Sequence, residues 1–281
     1  MNFVDLHTHS TASDGTLSPE EVATLASLKG LQAMALTDHD TIDGISRAKK
    51  ASATCGIELI PGIELSCVLG GTEIHILGFF ADETDQKLLD DLKSLRKIRD
   101  LRNEDMLNRF REDGFDITWE DLRNGVSDTV ITRAHFARVL SQKGYAPSPS
   151  HAFETYLQYG GRYCIRPKDV TPGQIMELLT SHRMWPCLAH PMLYHMEYRE
   201  IRDFADHLKS LGLRGLEVYH SSHSQSQSAQ LQVIARELGL LPSGGSDFHG
   251  ANKPDVEIGR GRGGLRVSYS LLRDIKNDYC G

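Results

Sequence analysis

Short apolar runs that end in a histidine, aspartate or glutamate recur along this 281-residue chain, and no other feature constrains its fold as much. The run Phe3 to Leu6 leads into His7-Thr8-His9 with Asp14 close behind, Ala33 to Leu36 into Thr37-Asp38-His39-Asp40, and Glu58 to Pro61 into Gly62-Ile63-Glu64. Later runs end at Ala189-His190, at Glu217-Val218-Tyr219-His220 and at Ser246-Asp247-Phe248-His249. Helical stretches lie between them: one opening at Ser18 with a capping box (Pro19, Glu21), then Thr41 to Thr54, Thr171 to Arg183, Arg199 to Leu211 and Ser226 to Leu238. Strand then helix, repeated, predicts parallel strands with crossover helices, whose strand C-terminal ends open on one face. One hairpin signal interrupts the rhythm: Glu64 to Leu69 and Glu73 to Phe79 flank Gly70-Gly71, and the second run contributes His75.

From about Thr84 to Tyr159 no β-like run occurs, only charged helical patterns (Asp85 to Glu112, Thr132 to Lys143) broken by Gly114, Gly125, Gly144, Pro147 and Pro149. This predicts an α/β chain of two parts: a discontinuous barrel domain, residues 1–83 and 165–281, and a helical insertion, residues 84–164. The Arg96 to Arg111 run, with acids interleaved at helical spacing, reads as a solvated helix face. A formal net charge of -7 provides no positive field to hold long duplex nucleic acid. Five scattered cysteines with no CxxC spacing argue against a disulfide framework or a thiolate zinc site. With no leader-like N-terminus and no apolar run of membrane-spanning length, the expectation is a cytoplasmic protein without a membrane partner.

Nine residues at the run ends are metal-capable: His7, His9, Asp14, His39, Glu64, His75, His190, Asp247 and His249. Two positions apart on an extended segment, His7 and His9 point the same way and can grip one cation, as can Asp247 and His249. Imidazole and carboxylate without thiolate suit Mn, Zn or Fe, and nine ligands are too many for one ion. Two to three divalent ions are expected.

These residues, His7-Thr8-His9 with Ser13-Asp14-Gly15, Thr37-Asp38-His39-Asp40, Gly62-Ile63-Glu64 with His75, and Ala189-His190-Pro191 with Gly245-Ser246-Asp247-Phe248-His249, resemble the motifs of the PHP (polymerase and histidinol phosphatase) superfamily. The resemblance implies a distorted (β/α)7 barrel and a trinuclear metal site. It assigns His7, His9, Glu64 and Asp247 to one ion, bridging Glu64 with His75 and His190 to a second, and Asp14, His39 and His249 to a third. Thr132 to Ala137 and Gly160-Gly161-Arg162-Tyr163 resemble the branch of 3′,5′-nucleoside bisphosphate phosphatases and 5′-to-3′ exoribonucleases.

The implied chemistry is phosphomonoester hydrolysis, because paired cations lower the pKa of a water between them and neutralise phosphoryl oxygens. Catalysis is expected to rest on His7, His9, Glu64 and Asp247, with His220 donating a proton to the leaving oxygen or contacting phosphate. Arg133, His135 and Arg162 are candidates for a second phosphate, since guanidinium pairs bidentately with phosphate, and the ion held by Asp14, His39 and His249 would clamp a phosphoryl oxygen. His151, His182, His195, His207 and His223 read as surface or capping residues. The expected substrate is a small phosphorylated metabolite, foremost the 3′-phosphate of a nucleoside 3′,5′-bisphosphate; the alternatives are 5′-to-3′ trimming of short RNA or DNA, and histidinol phosphate.

Overall fold

Strand alternation sorts the apolar side chains of this protein into two layers. The structure, a computed structural model describing residues 2–158, 160–164 and 170–281, contains β1 (Phe3–Asp5), β2 (Ala33–Leu36), β3 (Glu58–Leu69), β4 (Thr72–Phe79), β5 (Trp185–Leu188), β6 (Gly215–His220), β7 (Leu241–Gly245) and β8 (Val267–Ser268). Ala33, Ala35, Leu77 and Phe79 join Val4, Leu6, Trp185 and Cys187 in one apolar cluster, while their strand neighbours Met34, Leu36, Ile74 and Ile76 join a second. Ile60, Gly62 and Glu64 share one face of β3, and His75, Leu77 and Phe79 share one face of β4. Strand parity therefore aims Glu64 and His75 at the same interior.

The strands form one sheet in the order β7-β6-β5-β4-β3-β2-β1-β8, parallel except around β4 and β8. The sheet nearly closes on itself, because the Leu6 N–H donates to Gly244 O (3.2 Å), the Asp247 N–H to His7 O (2.9 Å) and the His9 N–H to Phe248 O (2.9 Å). These bonds set the end of β7 against the segment following β1, which places Asp247 beside His7 and His9.

Around the sheet run α1 (Pro19–Leu28), α2 (Ile45–Cys55), α7 (Pro172–Ser181), α8 (Tyr198–Ser210) and α9 (Gln225–Leu238), with their apolar residues in the outer cluster. Between β4 and β5 lie α3 (Gln86–Glu112), α4 (Trp119–Arg123), α5 (Arg133–Gln142) and α6 (Pro149–Thr155). These pack around their own cluster, including Met106, Phe110, Phe136, Leu140 and Leu157. α3 serves both clusters: its Leu88 and Leu92 belong to the outer barrel layer, its Met106 and Phe110 to the inserted one. α10 (Tyr269–Cys280) adds Leu272 and Ile275 to the barrel interior, and its Asp278 accepts from Trp185 Nε1 (2.7 Å).

Several elements differ from expectation. The runs Glu58 to Pro61 and Glu64 to Leu69 are one twelve-residue strand, continued through Gly62, where a Cβ would come within 2.9 Å of Thr37 Cγ2. The seven-strand barrel gains an eighth strand, β8, which pairs antiparallel with β1. The solvated-face reading fails at Arg99 and Arg102, which are buried: Arg99 Nε donates to Asp40 Oδ2 (2.6 Å), and Arg102 NH2 to Asn103 Oδ1 (3.0 Å). His182, expected at the surface or in a cap, is the C-cap residue of α7, with its side chain buried and its ring nitrogens 2.7 Å from Asp85 Oδ2 and 2.9 Å from Asp91 Oδ2. These two contacts tie α7 to the start of α3. All five cysteines are free thiols, three of them buried. No helix among the described residues is long and apolar enough to cross a membrane. The expected boundary at residue 165 lies outside the described residues.

Candidate metal centre

Glu64 is fully buried, and five imidazoles surround its carboxylate. Its Oε2 stands 3.3 Å from His7 Nε2, 3.2 Å from His9 Nε2 and 3.2 Å from His39 Nδ1; its Oε1 stands 2.9 Å from both His75 Nδ1 and His190 Nε2. Asp247 Oδ1 lies 3.4 Å from His9 Nε2 and 3.3 Å from His249 Nδ1, and Asp14 Oδ1 lies 3.1 Å from His249 Nε2. Among the described residues, ligand atoms within 4.8 Å of one another form four groups: His9, Asp14, His39 and His249; His7, Glu64 and His190; His39, Glu64 and His75; and His7, His220 and Asp247. All nine candidate ligands therefore converge. His9 faces Glu64 and Asp247 through Nε2, and its Nδ1 lies 3.8 Å from Asp14, so it borders two of the groups.

The donor set fits divalent cations on a specific observation. His7 Nε2, both nitrogens of His9, His39 Nδ1 and Glu64 Oε2 are buried without a hydrogen-bond partner. Buried polar atoms normally find one, and ring nitrogens and a carboxylate oxygen left without one around a shared space are atoms that a cation would satisfy by displacing ring protons. Neighbours set the tautomers. His7 Nδ1 faces Glu217 Oε1 at 3.0 Å and His249 Nδ1 faces Asp247 O at 2.8 Å, so in the neutral form of each ring Nδ1 carries the proton and leaves the Nε2 lone pair to face inward. Glu217 Oε2 also accepts from the His190 N–H (2.7 Å). One buried carboxylate thus orients two neighbours of Glu64.

Charge is balanced among the rings. Burial works against a charged His9, but Asp247 and Glu64 override it and raise the ring to about 9; burial likewise opposes a charged His75, and Glu64 lifts it to about 10. Burial pushes Glu217 up, yet His7 draws it down to about 2. Asp14, Glu64 and Asp247 are also held well below the ordinary carboxylate range, since the surrounding histidines, and Lys253 beside Asp247, outweigh burial. At neutral pH the carboxylates are ionised and ready to bind cations.

His220 differs from the other rings. Its Nδ1 accepts from the Ser222 N–H (3.1 Å), so the proton of the neutral ring sits on Nε2, 3.3 Å from Asp247 Oδ2. That direction suits a proton donor better than a ligand, although the ring lies within reach of His7 and Asp247. Asp38 and Asp40, which share the second motif, serve the frame: Asp38 accepts from Ser10 N (2.8 Å) and Ser13 Oγ (2.7 Å), bracing the loop that carries Asp14, and Asp40 holds Arg99.

The cluster opens into a pocket of about 350 Å³, lined by His39, His75, His190, Asp247 and His249 together with Arg99, Arg133, Arg138 and Lys253. Arg133, at the first position of α5, pairs with Glu73 and reaches Leu157 O (3.2 Å). Lys253 was not foreseen; its Nζ lies 2.5 Å from Asp247 Oδ2. The turn before it is anchored by Asn252 Nδ2 to Asp14 O (2.7 Å) and by the Ala251 N–H to Thr16 Oγ1 (2.8 Å). A lysine six residues past Asp247 is the signal that could have found it. A larger cleft of about 850 Å³, lined by Arg47, Arg96 and Lys97 but also Asp43, Asp100 and Glu104, contains none of the clustered ligands.

Two expected phosphate contacts lie elsewhere. Arg162 is exposed and paired with Asp113, outside the pocket lining, because Asp113 at the end of α3 captures its guanidinium. Alanine at Arg162 is expected to leave the KM for a phosphorylated substrate within about twofold in steady-state kinetics, as surface changes usually do. His135 is buried and completes the capping box of α5, its Nδ1 accepting from the Thr132 N–H (3.1 Å). Burial lowers its pKa to about 4. The folded value lies below the ordinary 6.5, so the unfolded chain binds more protons between the two; stability present above pH 6.5 is lost as pH falls toward 4. His135→Gln keeps an acceptor at the capping position without titrating, so urea melts should show it losing about 2–3 kcal/mol less than wild type over that window. Parallel pH curves would contradict this.

A family model described as the PHP domain matches residues 5–163. The chain is 35% identical over 245 residues to a 5′-3′ exoribonuclease of Haemophilus influenzae, covering 87% of this chain and 89% of the relative. It is 31% identical over 265 residues to a 3′,5′-nucleoside bisphosphate phosphatase of Chromobacterium violaceum, covering 92% and 91%. Among solved structures, a Bifidobacterium adolescentis protein described as a metal-dependent phosphoesterase superposes with a TM-score of 0.85 at 29% identity, covering 98% of this chain and 95% of that one.

Proposed function

The chain belongs to the PHP family and is a metal-dependent phosphoesterase, and on that premise we propose that it removes the 3′-phosphate from nucleoside 3′,5′-bisphosphates. The observation that carries the reading is Glu64, its two oxygens facing separate sets of imidazoles at the floor of a pocket walled by arginine and lysine. We assign two to three divalent ions, Mn, Zn or Fe, to His7, His9, Asp14, His39, Glu64, His75, His190, Asp247 and His249. Such ions supply Lewis acidity, activating water and offsetting phosphoryl charge.

The chain's own residues do the rest. Glu217 and the Asp247 carbonyl hold the rings of His7 and His249 in the tautomer that presents Nε2 inward. Lys253 contacts a nonbridging oxygen of the reacting phosphate, and His220 Nε2–H is the proton held for the leaving 3′-oxygen. Arg133, with Arg138 on the same helix, takes the 5′-phosphate. Arg133→Ala should raise KM for the bisphosphate by about tenfold or more while changing that for a 3′-monophosphate less than about twofold.

A second reading, 5′-to-3′ trimming of short RNA or DNA, is favoured by the 35% identity to an exoribonuclease. Product analysis separates them. Adenosine 3′,5′-bisphosphate should yield 5′-AMP and phosphate faster than a 5′-phosphorylated oligoribonucleotide yields mononucleotides. The reverse preference, or 3′-AMP as product, would overturn the proposal.

A further inference from the structure

Most residues that line the pocket above the metal-capable cluster are charged or polar, and its larger apolar residues come from two different parts of the chain. Phe153 and Pro149 belong to α6 of the inserted segment; Leu193 lies on the short 3₁₀ turn Pro191–Tyr194 that follows β5. Leu193 is 43% exposed, although its N–H is held by His190 O (2.9 Å), which fixes it one turn beyond a cluster histidine. An isolated exposed leucine is ordinary; one that lines a pocket with a phenylalanine and a proline presents an apolar wall. Phe153 packs against the inserted apolar cluster, and the Arg133 guanidinium lies 5.7 Å from its ring centroid. Pro149 begins α6 behind the Ser148 cap, so this wall stands on ordered backbone.

We propose that Phe153, Pro149 and Leu193 form the seat for the base of the substrate nucleotide, making this chain select nucleoside phosphates over phosphate esters that lack an aromatic base. The proposal rests on the nucleotide reading above and adds the residues that enforce it. A flat heterocycle matches this wall because its faces are apolar and polarisable while its phosphates are drawn to the basic side. A cationic leaving group such as an amine would instead meet Arg133 beside Phe153. The pocket's volume, about 350 Å³, lies at the small end of ligand pockets and suits one nucleoside.

The test compares adenosine 3′,5′-bisphosphate with ribose 3,5-bisphosphate, which lacks the base, on wild type, Phe153→Ala, Phe153→Trp and Leu193→Ala. Phe153→Ala should raise KM for the adenosine substrate about tenfold, with kcat and the KM for the ribose substrate changed less than about twofold, and Phe153→Trp should restore it. Leu193→Ala, at an exposed position that does not threaten folding, should raise KM for the adenosine substrate alone, by about threefold. Equal KM changes for both substrates, or none for either, would overturn the seat and leave the phosphoesterase reading standing. A wild type that handles both substrates equally well would do the same. No phosphate release from the nucleotide would overturn the nucleotide reading, and the seat with it.

Discussion

Glu64→Gln should lose at least about 10³-fold in phosphate release, the largest effect expected of any single substitution in the chain. Glutamine keeps the volume of the buried side chain but replaces one oxygen of the carboxylate by an amide nitrogen, a donor without a free lone pair for a cation. Because the amide is neutral, both sets of imidazoles, His7, His9 and His39 as well as His75 and His190, lose their shared anionic partner, and the set facing the nitrogen loses its acceptor too. Bound metal measured by elemental analysis should fall together with the rate. Near-wild-type circular dichroism would show that the loss is chemical, since Glu64 is encircled by polar groups and supports none of the apolar clusters. A variant retaining more than about a tenth of the wild-type rate would be incompatible with the central place of Glu64.

Gly245→Ala should destabilise the fold by roughly 3 kcal/mol and lower Tm by about 6–10 °C. Gly245 ends β7 where the sheet closes onto β1, and a Cβ there would lie 2.4 Å from His7 N and 2.8 Å from His7 Cα. Those are backbone atoms, which cannot move aside as a flexible side chain does. Relief of the overlap must part β7 from His7, and so separate Asp247 from the ring it faces. Metal content should therefore drop in the same variant. Gly264→Ala is the control: no atom lies within 4 Å of a Cβ there, and the effect should stay within about 0.5 kcal/mol. Equal thermal melts for the two variants would show that closure at β7 is looser than the hydrogen bonds across it imply.

What was legible in the sequence was local. A ligand at the end of a strand is written next to the apolar run that makes the strand, which is why His7, His39, His190 and Asp247 could each be found without knowing what lay across the barrel. Their convergence follows from the parallel topology, which the strand–helix rhythm also announces. Glu217 was visible at a strand end, but its task depends on His7, 210 residues away. Arg162 shows the reverse case: an arginine in a plausible segment is captured by Asp113, a partner that only the packing of the inserted helices brings near. His182 does sit in a cap, at the end of α7, but the burial of its ring depends on Asp85 and Asp91, 97 and 91 residues away, and Arg99 departs from the solvated face because Asp40, which lets it be buried, lies 59 residues away. The two-residue β8 carries no pattern long enough to recognise, and its pairing with β1 depends on chain closure.

The most direct test of metal-dependent hydrolysis is phosphate release from adenosine 3′,5′-bisphosphate by chelator-stripped protein as Mn²⁺ is added back. The expected result is no release from the stripped protein, recovery that saturates at two to three Mn²⁺ per chain, and one phosphate per nucleotide with 5′-AMP left behind. A stripped protein as active as the untreated one, or one that stays silent when Mn²⁺, Zn²⁺ or Fe²⁺ is restored, would contradict the account.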